Sequence, residues 1–215
     1  MMKKRIVMSV AGVLLCGVFA GVLQFAAFGI DPFQCFVNGI WSVIPMDFGT
    51  LYVIINAVLL LFALFADRHY IGLGTLINMF LLGYVVDFTR NGFVSLFPAP
   101  SMALRVALFV LALLGLCLTG SLYMTADLGV STYDAVALII SNTWHKMQFR
   151  FCRIVTDLVC VLIGSGLYLL SGKTFAQLTA ITGIGTILTA FCMGPVIAWC
   201  NDHVSKPLLN GKGAR

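Results

Sequence analysis

The sequence predicts an all-α polytopic membrane protein made of two homologous three-helix repeats, inverted relative to each other. Each repeat carries an extra short or re-entrant helical segment. Composition is the first observation behind this. Hydrophobic residues make up 60% of the chain and charged residues 10%, Glu is absent so that all eight acids are Asp, and the mean hydropathy is +1.03. A soluble domain carries about 25% charged residues. The second observation is the uncharged runs 6–30, 106–126 and 174–201, each long enough to cross ~30 Å of hydrocarbon as a helix of roughly 20 residues. The third is that the chain repeats itself. Gly72-Leu73-Gly74-Thr75-Leu76-Ile77-Asn78 returns as Gly183-Ile184-Gly185-Thr186-Ile187-Leu188-Thr189, and six of sixteen positions are identical between 72–87 and 183–198. Upstream, Phe28 to Gln34 resembles Leu128 to Asp134, and Phe48 to Asn56 resembles Phe149 to Asp157. Duplication in a very apolar chain is a membrane-protein signature. A β-barrel would instead show alternating segments of ~10 residues.

The expected spans are 6–28, 48–66, 70–88, 103–125, 149–170 and 178–200. The first follows Met1-Met2-Lys3-Lys4-Arg5 and could pass for a cleaved signal. It is longer than a usual signal core of roughly 7–15 residues, and its internal counterpart at 103–125 cannot be cleaved, so it is expected to stay. Segments 29–45 and 129–145 are apolar but short, interrupted by polar residues and opened by Gly. If both spanned, there would be eight helices with parallel halves. Length favours six spans, because ~15 helical residues reach only about 22 Å. The repeats are then 1–101 and 102–201, followed by a flexible cytoplasmic tail at 202–215. With the N-terminus in the cytoplasm, Lys3, Lys4, Arg5, Arg68, Lys146, Arg150, Arg153, Lys206, Lys212 and Arg215 face inward, as cytoplasmic loops favour. Arg90, Arg105 and Lys173 face outward. The net charge of +5 is explained by these loops, so no nucleic-acid partner is implied.

The two short segments concentrate the candidate chemistry. Irregular backbone at membrane depth survives only where it is buried in protein or lines a watery cavity. The first offers Asp31, Gln34, Asn38 and Trp41, the second Ser131, Thr132, Tyr133, Asp134, Ser141 and Asn142. Asp31 and Ser131 also stand where helix N-caps belong, which is compatible with a site formed deeper by Gln34 and Asp134. Asp157 lies one turn inside the fifth span with Arg153 on the same helical face. It is either that arginine's neutralising partner or a substrate or proton group. Asn78, within the third span, is a candidate cavity liner. The candidate binding set is therefore Asp31, Gln34, Asn38, Asn78, Tyr133, Asp134 and Asp157. Asp87 and Arg90 are expected to end the third span among headgroups.

The remaining motifs read as structure. Gly-x-Gly-Thr at 72–75 and 183–186 and Gly17-x-x-x-Gly21 are expected to bring helix backbones close together. No strand precedes the glycine pairs, as a dinucleotide site requires. The seven cysteines form no Cys-x-x-Cys and stand near no His at zinc-ligand spacing, so neither a metal nor a cofactor is expected. His69, His145 and His203 form no catalytic motif, and no enzyme activity is expected.

The paired Gly29-Ile30-Asp31-Pro32-Phe33-Gln34 and Gly129-Val130-Ser131-Thr132-Tyr133-Asp134, each followed by a span and then Gly-x-Gly-Thr, resemble the bacterial YczE/YyaS/YitT group of membrane proteins. In that group the short segment typically reads Gly-x-Gly-Pro-Trp-Asp, and a Gly-Pro stands in the later helix. Gly129 and Asp134 match, while Thr132 replaces the Pro and Tyr133 the Trp. Gly194-Pro195 matches, whereas Gly83-Tyr84 departs. The resemblance implies a protein of the bacterial inner membrane with a duplicated fold and supplies no substrate; the charge distribution and six spans place both termini in the cytoplasm. Asp134 is the only intact carboxylate of its type, so an acid-dependent mechanism would rest on one half. Two functions fit. One is a small secondary transporter or exporter of a small ion or metabolite, with its site between the repeats. The other is an accessory protein that stabilises a membrane or biosynthetic complex. The expected partners are the lipid bilayer and the small substrate, and a small duplicated bundle often dimerises.

Overall fold

The computed structural model describes residues 2–210, and all regular structure among them is helical. The elements are α1 (Met2–Ala26), α2 (Pro32–Trp41), α3 (Phe48–Ala66), α4 (Leu73–Leu96), α5 (Met102–Ala126), α6 (Thr132–Leu138), α7 (Phe149–Leu170), α8 (Phe175–Leu178), α9 (Ile184–Cys200) and α10 (Lys206–Asn210). A single 3₁₀ turn, Arg68–Tyr70, joins α3 to α4, and π-helical turns continue α6 and α9. Five helices are long and apolar enough to cross a membrane: Met2–Ala26, Phe48–Ala66, Met102–Ala126, Phe151–Leu170 and Ile184–Leu209. This is a membrane protein. α4 has the length, at 24 residues, but Asn78, Asp87 and Arg90 lower its apolarity. The expected tail is helical from 202 to 210, and Lys212 and Arg215 lie outside the described residues.

Local sequence explains the short helices. Asp31 caps α2 by accepting a hydrogen bond from Gln34 N at 3.1 Å, and Pro32 at the first position has no N–H to leave unpaired. Ser131 caps α6 in the same way, accepting from Asp134 N at 3.1 Å. At 10 and 7 residues, neither helix crosses a bilayer at 1.5 Å per residue.

Helices α1 and α5 form an antiparallel axis. The Gly12 position lies against the backbone of Thr119 and Tyr123, and Gly115 lies against the Phe19 ring. At each end an arginine of one helix reaches the last carbonyls of the other, where a cation suits the helix dipole. Arg5 Nη1 lies 3.4 Å from Ala126 O and pairs with Asp127, while Arg105 donates to Ala26 O at 2.9 Å and Ala27 O at 3.1 Å. Ala27 and Asp127 both leave their helices in the left-handed conformation, at φ 56° and 53°. Alongside, α4 runs parallel to α1, with Gly17 against Val85 and Gly21 against Val86 and Thr89.

The Gly-x-Gly-Thr pairs do more than the expected packing of helix on helix, in which Gly74 lies against Ser9 and Tyr123 and Gly185 against Phe109. Each receives a loop from the other half of the chain. Gly74 N donates to Leu128 O at 2.7 Å and Thr75 Oγ1 to Val130 O at 2.6 Å, while Gly185 N donates to Phe28 O at 2.7 Å and Ile30 N to Ile181 O at 3.2 Å. First-turn N–H groups lack the usual intrahelical partners, and at Gly74 and Gly185 an incoming carbonyl takes their place. The loops turn at Gly29 and Gly129, whose φ values of +107° and +102° suit glycine. The short helices cross over too: α2 meets α7 where Gly39 faces Gly164, and α6 meets α3 where Thr132 donates to Asn56 Oδ1 at 2.5 Å.

The halves differ in tightness. A Cβ at Gly83 would lie 2.6 Å from Tyr52 Cβ, because α4 packs along α3; a Cβ at the corresponding Gly194 would find nothing within 4 Å. Helix α9 leans on α5 and has no comparable packing on α7. The third long helix also runs beyond its expected end. It continues to Leu96, and Arg90, instead of closing it among headgroups, turns inward over the Trp41 ring at 4.9 Å.

Candidate functional site

The gap left by α9 opens a cavity of about 330 Å³ towards the end of the bundle where α1, α4 and α7 begin. Its wall includes Arg153, one turn inside α7. The guanidinium pairs with Asp134 of α6, and its Nε lies 3.4 Å from Asp157 Oδ1. Its carbon sits 4.5 Å over the Tyr133 ring, a geometry attractive to cations. The Tyr133 hydroxyl donates to Asp157 Oδ1 at 2.6 Å, and the ring stacks on Phe33 at 4.8 Å and 17°. Phe33 in turn meets Tyr52 edge-on at 5.8 Å. Asp134 also accepts from Ser131 Oγ at 2.6 Å, so its carboxylate is held from two sides.

Polar groups continue around the wall. Asp31 and Gln34 enter from α2 and its cap, Asn78 from α4 and Tyr123 from α5. The Tyr123 hydroxyl is buried and has no hydrogen-bond partner among the described residues, a condition that normally costs about 1–3 kcal/mol. The side between α5 and α9, at Gly120, Met124, Met193, Gly194 and Ile197, is apolar.

A second cavity of about 460 Å³ lies towards the other end of the bundle, lined among others by Gln24, Asn38, Trp41, Arg90, Tyr168 and Lys173. Along α1, α4 and α7 alike, the residues facing the first cavity precede those facing the second: Cys16 before Gln24, Asn78 before Arg90, Arg153 before Tyr168. The two walls are joined by a hydrogen bond from Gln24 Nε2, on the second cavity, to Gln34 Oε1, on the first, at 2.8 Å, with Asn38 Nδ2 donating to Gln34 O at 2.9 Å.

The structure thus brings Asp31, Gln34, Asn78, Tyr133, Asp134 and Asp157 to one cavity and places Asn38 on the other. Of the further polar candidates, Trp41 joins Arg90, Thr132 is used by Asn56, and Ser141 bonds Asn142 in the π turn. Sequence reasoning paired Arg153 with Asp157 and missed its second partner, Asp134. It also missed Gln24, although a lone amide inside an uncharged run was a usable signal. Tyr52 and Tyr123 carried no signal in so aromatic a chain. Among the described residues no metal-ligating cluster occurs and the cysteines are free thiols.

Residues 3–202 match a family described as a family of unknown function, DUF6198. The chain belongs to that family. It is also similar to the Uncharacterized membrane protein YczE of Bacillus subtilis (strain 168), at 26% identity over 198 residues, covering 90% of this chain and 82% of that protein. The resemblance carried by the paired Gly-turn segments therefore extends over most of the length. No solved structure matches.

Proposed function

We propose that this protein is a small secondary transporter of the bacterial inner membrane whose substrate site is the Arg153 cavity. The observation that carries the reading is the pair of cavities, one towards each end of the bundle, whose walls the Gln24–Gln34 hydrogen bond joins. Two cavities that open from opposite ends of one bundle suit alternating access, in which one repeat rocks against the other around a fixed site. An intramembrane group of three carboxylates and one guanidinium is expensive to maintain and is ordinarily functional.

The halves 1–101 and 102–201 are inverted repeats on this reading. Support comes from the repeated sequence motifs, the matched left-handed turns at 27 and 127, and the reciprocal docking of Gly29 and Gly129. In one state α4 is closed on α3 while α9 stands away from α7, and in the other the roles exchange. The Arg153 cavity faces the cytoplasm, because Lys3, Lys4, Arg5 and Lys206 lie towards its end of the bundle. Protons are the coupling ion through Asp134 and Asp157.

A thermal-shift screen of the purified protein against inorganic ions, organic acids, amino acids and amines at pH 5.5 and 8 tests this reading. A ligand at 100 times its dissociation constant adds about 2.7 kcal/mol of stability. A hit abolished by Asp134→Asn is the expected result. A screen without hits, together with a stable partner co-purifying at fixed ratio, would instead mark an accessory protein.

A further inference from the structure

Resting on that reading, the geometry points to a small organic monocation as the substrate class, with the Arg153 guanidinium as a tethered occupant that the substrate displaces. The cavity carries three carboxylates, Asp31, Asp134 and Asp157, against one cationic side chain. Asp31 has no cation at ion-pair distance among the described residues, whereas Asp134 and Asp157 both turn to Arg153. The guanidinium carbon lies 4.5 Å from the Tyr133 ring centroid, and its Nη1 and Nε face Asp134 and Asp157. That is a receptor for a planar, delocalised cation already holding one.

Two further features call for a ligand larger than a proton. The Tyr123 hydroxyl, on a residue that is 7% exposed, lines the same cavity without a hydrogen-bond partner, and an N–H donor arriving in the cavity would supply one. The wall towards α5 and α9 is apolar at Met124, Met193 and Ile197, which suits the hydrocarbon part of an amphipathic cation and repays its desolvation. An anion would have to enter beside three carboxylates with one guanidinium to offset them. Exchange needs no new cofactor: as the substrate cation leaves, Arg153 returns to Asp134 and Asp157, and a proton carries the balancing charge.

The test is isothermal titration of the full-length protein in detergent with three probes of one shape: benzamidinium, neutral benzamide and benzoate. Benzamidinium is expected to bind while the other two do not. Asp157→Asn and Asp134→Asn should each weaken it at least 10-fold. Arg153→Gln should tighten it at least 10-fold, because the internal competitor is gone. If Arg153→Gln does not fold, Arg153→Lys takes its place, since it keeps the charge and gives up the planar guanidinium; it too should bind benzamidinium more tightly than the wild type. Weaker or unchanged binding in the Arg153 variant would overturn the proposal. Preference for benzoate, lost with Arg153, would also overturn it, yet would keep the cavity as a transport site with Arg153 as an anion anchor. Absence of binding by all three probes in wild type and variant rejects the cation class. The transport reading is then judged by whether any other ligand gives an Asp134-dependent thermal shift.

Discussion

Arg153 illustrates how far one side chain's role depends on the chain's return from elsewhere. Its spacing to Asp157 is visible in any helix, but Asp134 arrives from α6 across a π turn and a loop, and no local pattern announces that. The Thr132–Asn56 bond makes a cleaner test of residue energetics, because both side chains are 1% exposed. Thr132→Val leaves Asn56 Oδ1 buried without its donor, so a loss of about 1–3 kcal/mol is expected in chemical denaturation, against little for Thr132→Ser. A pH effect belongs to Asp67, in the turn between α3 and α4. The Thr143 hydroxyl, and then the His69 N–H, hold its carboxyl below the ordinary value of 3.8. Because the folded value is the lower one, the tie is complete above about pH 4 and fades as pH falls through the folded value. The difference in melting temperature between wild type and Asp67→Asn should therefore be larger at pH 7 than at pH 3.

At the scale of elements, helix ends and glycines decide the packing. Arg105 caps the end of α1 with two hydrogen bonds, so Arg105→Ala should cost about 1–2 kcal/mol, read from thermal melts in detergent. The two corresponding glycines should respond oppositely. Gly83→Ala drives a methyl into Tyr52 and should lower the melting temperature. Gly194→Ala enters open space and should raise stability by about 0.5–1 kcal/mol, since Ala suits a helix better than Gly. The long helices were legible because apolar runs of span length admit few alternatives. The short helices were legible too, since Asp31-Pro32 and Ser131 are cap signals. The role of Gly-x-Gly-Thr was not, because the partner of those first-turn N–H groups is a loop about 50 to 150 residues away. The length of α4 was misjudged as well. Asp87 and Arg90 looked like an interfacial ending, but a cavity takes up the charge and lets the helix continue.

For the whole molecule, the central claim is that two halves built alike take opposite conformations and exchange them. The repeated motifs could be read in the sequence, whereas their different surroundings could not: Gly83 and Gly194 stand at the same spacing from Gly-x-Gly-Thr, and it is their neighbours that differ. Pulsed electron–electron resonance on spin-labelled cysteine pairs, in a variant lacking the native cysteines, tests the claim most directly. Leu162 and Phe191 report the separation of α7 and α9, Leu61 and Phe80 that of α3 and α4, and all four side chains are exposed on the bundle surface. The expected result is two distances for each pair. When pH or ligand increases the short-distance population of α7–α9, it should increase the long-distance population of α3–α4. A single unchanging distance for both pairs, in lipid and across pH 5.5 to 8 with and without ligand, would contradict a transporter and leave a rigid membrane scaffold.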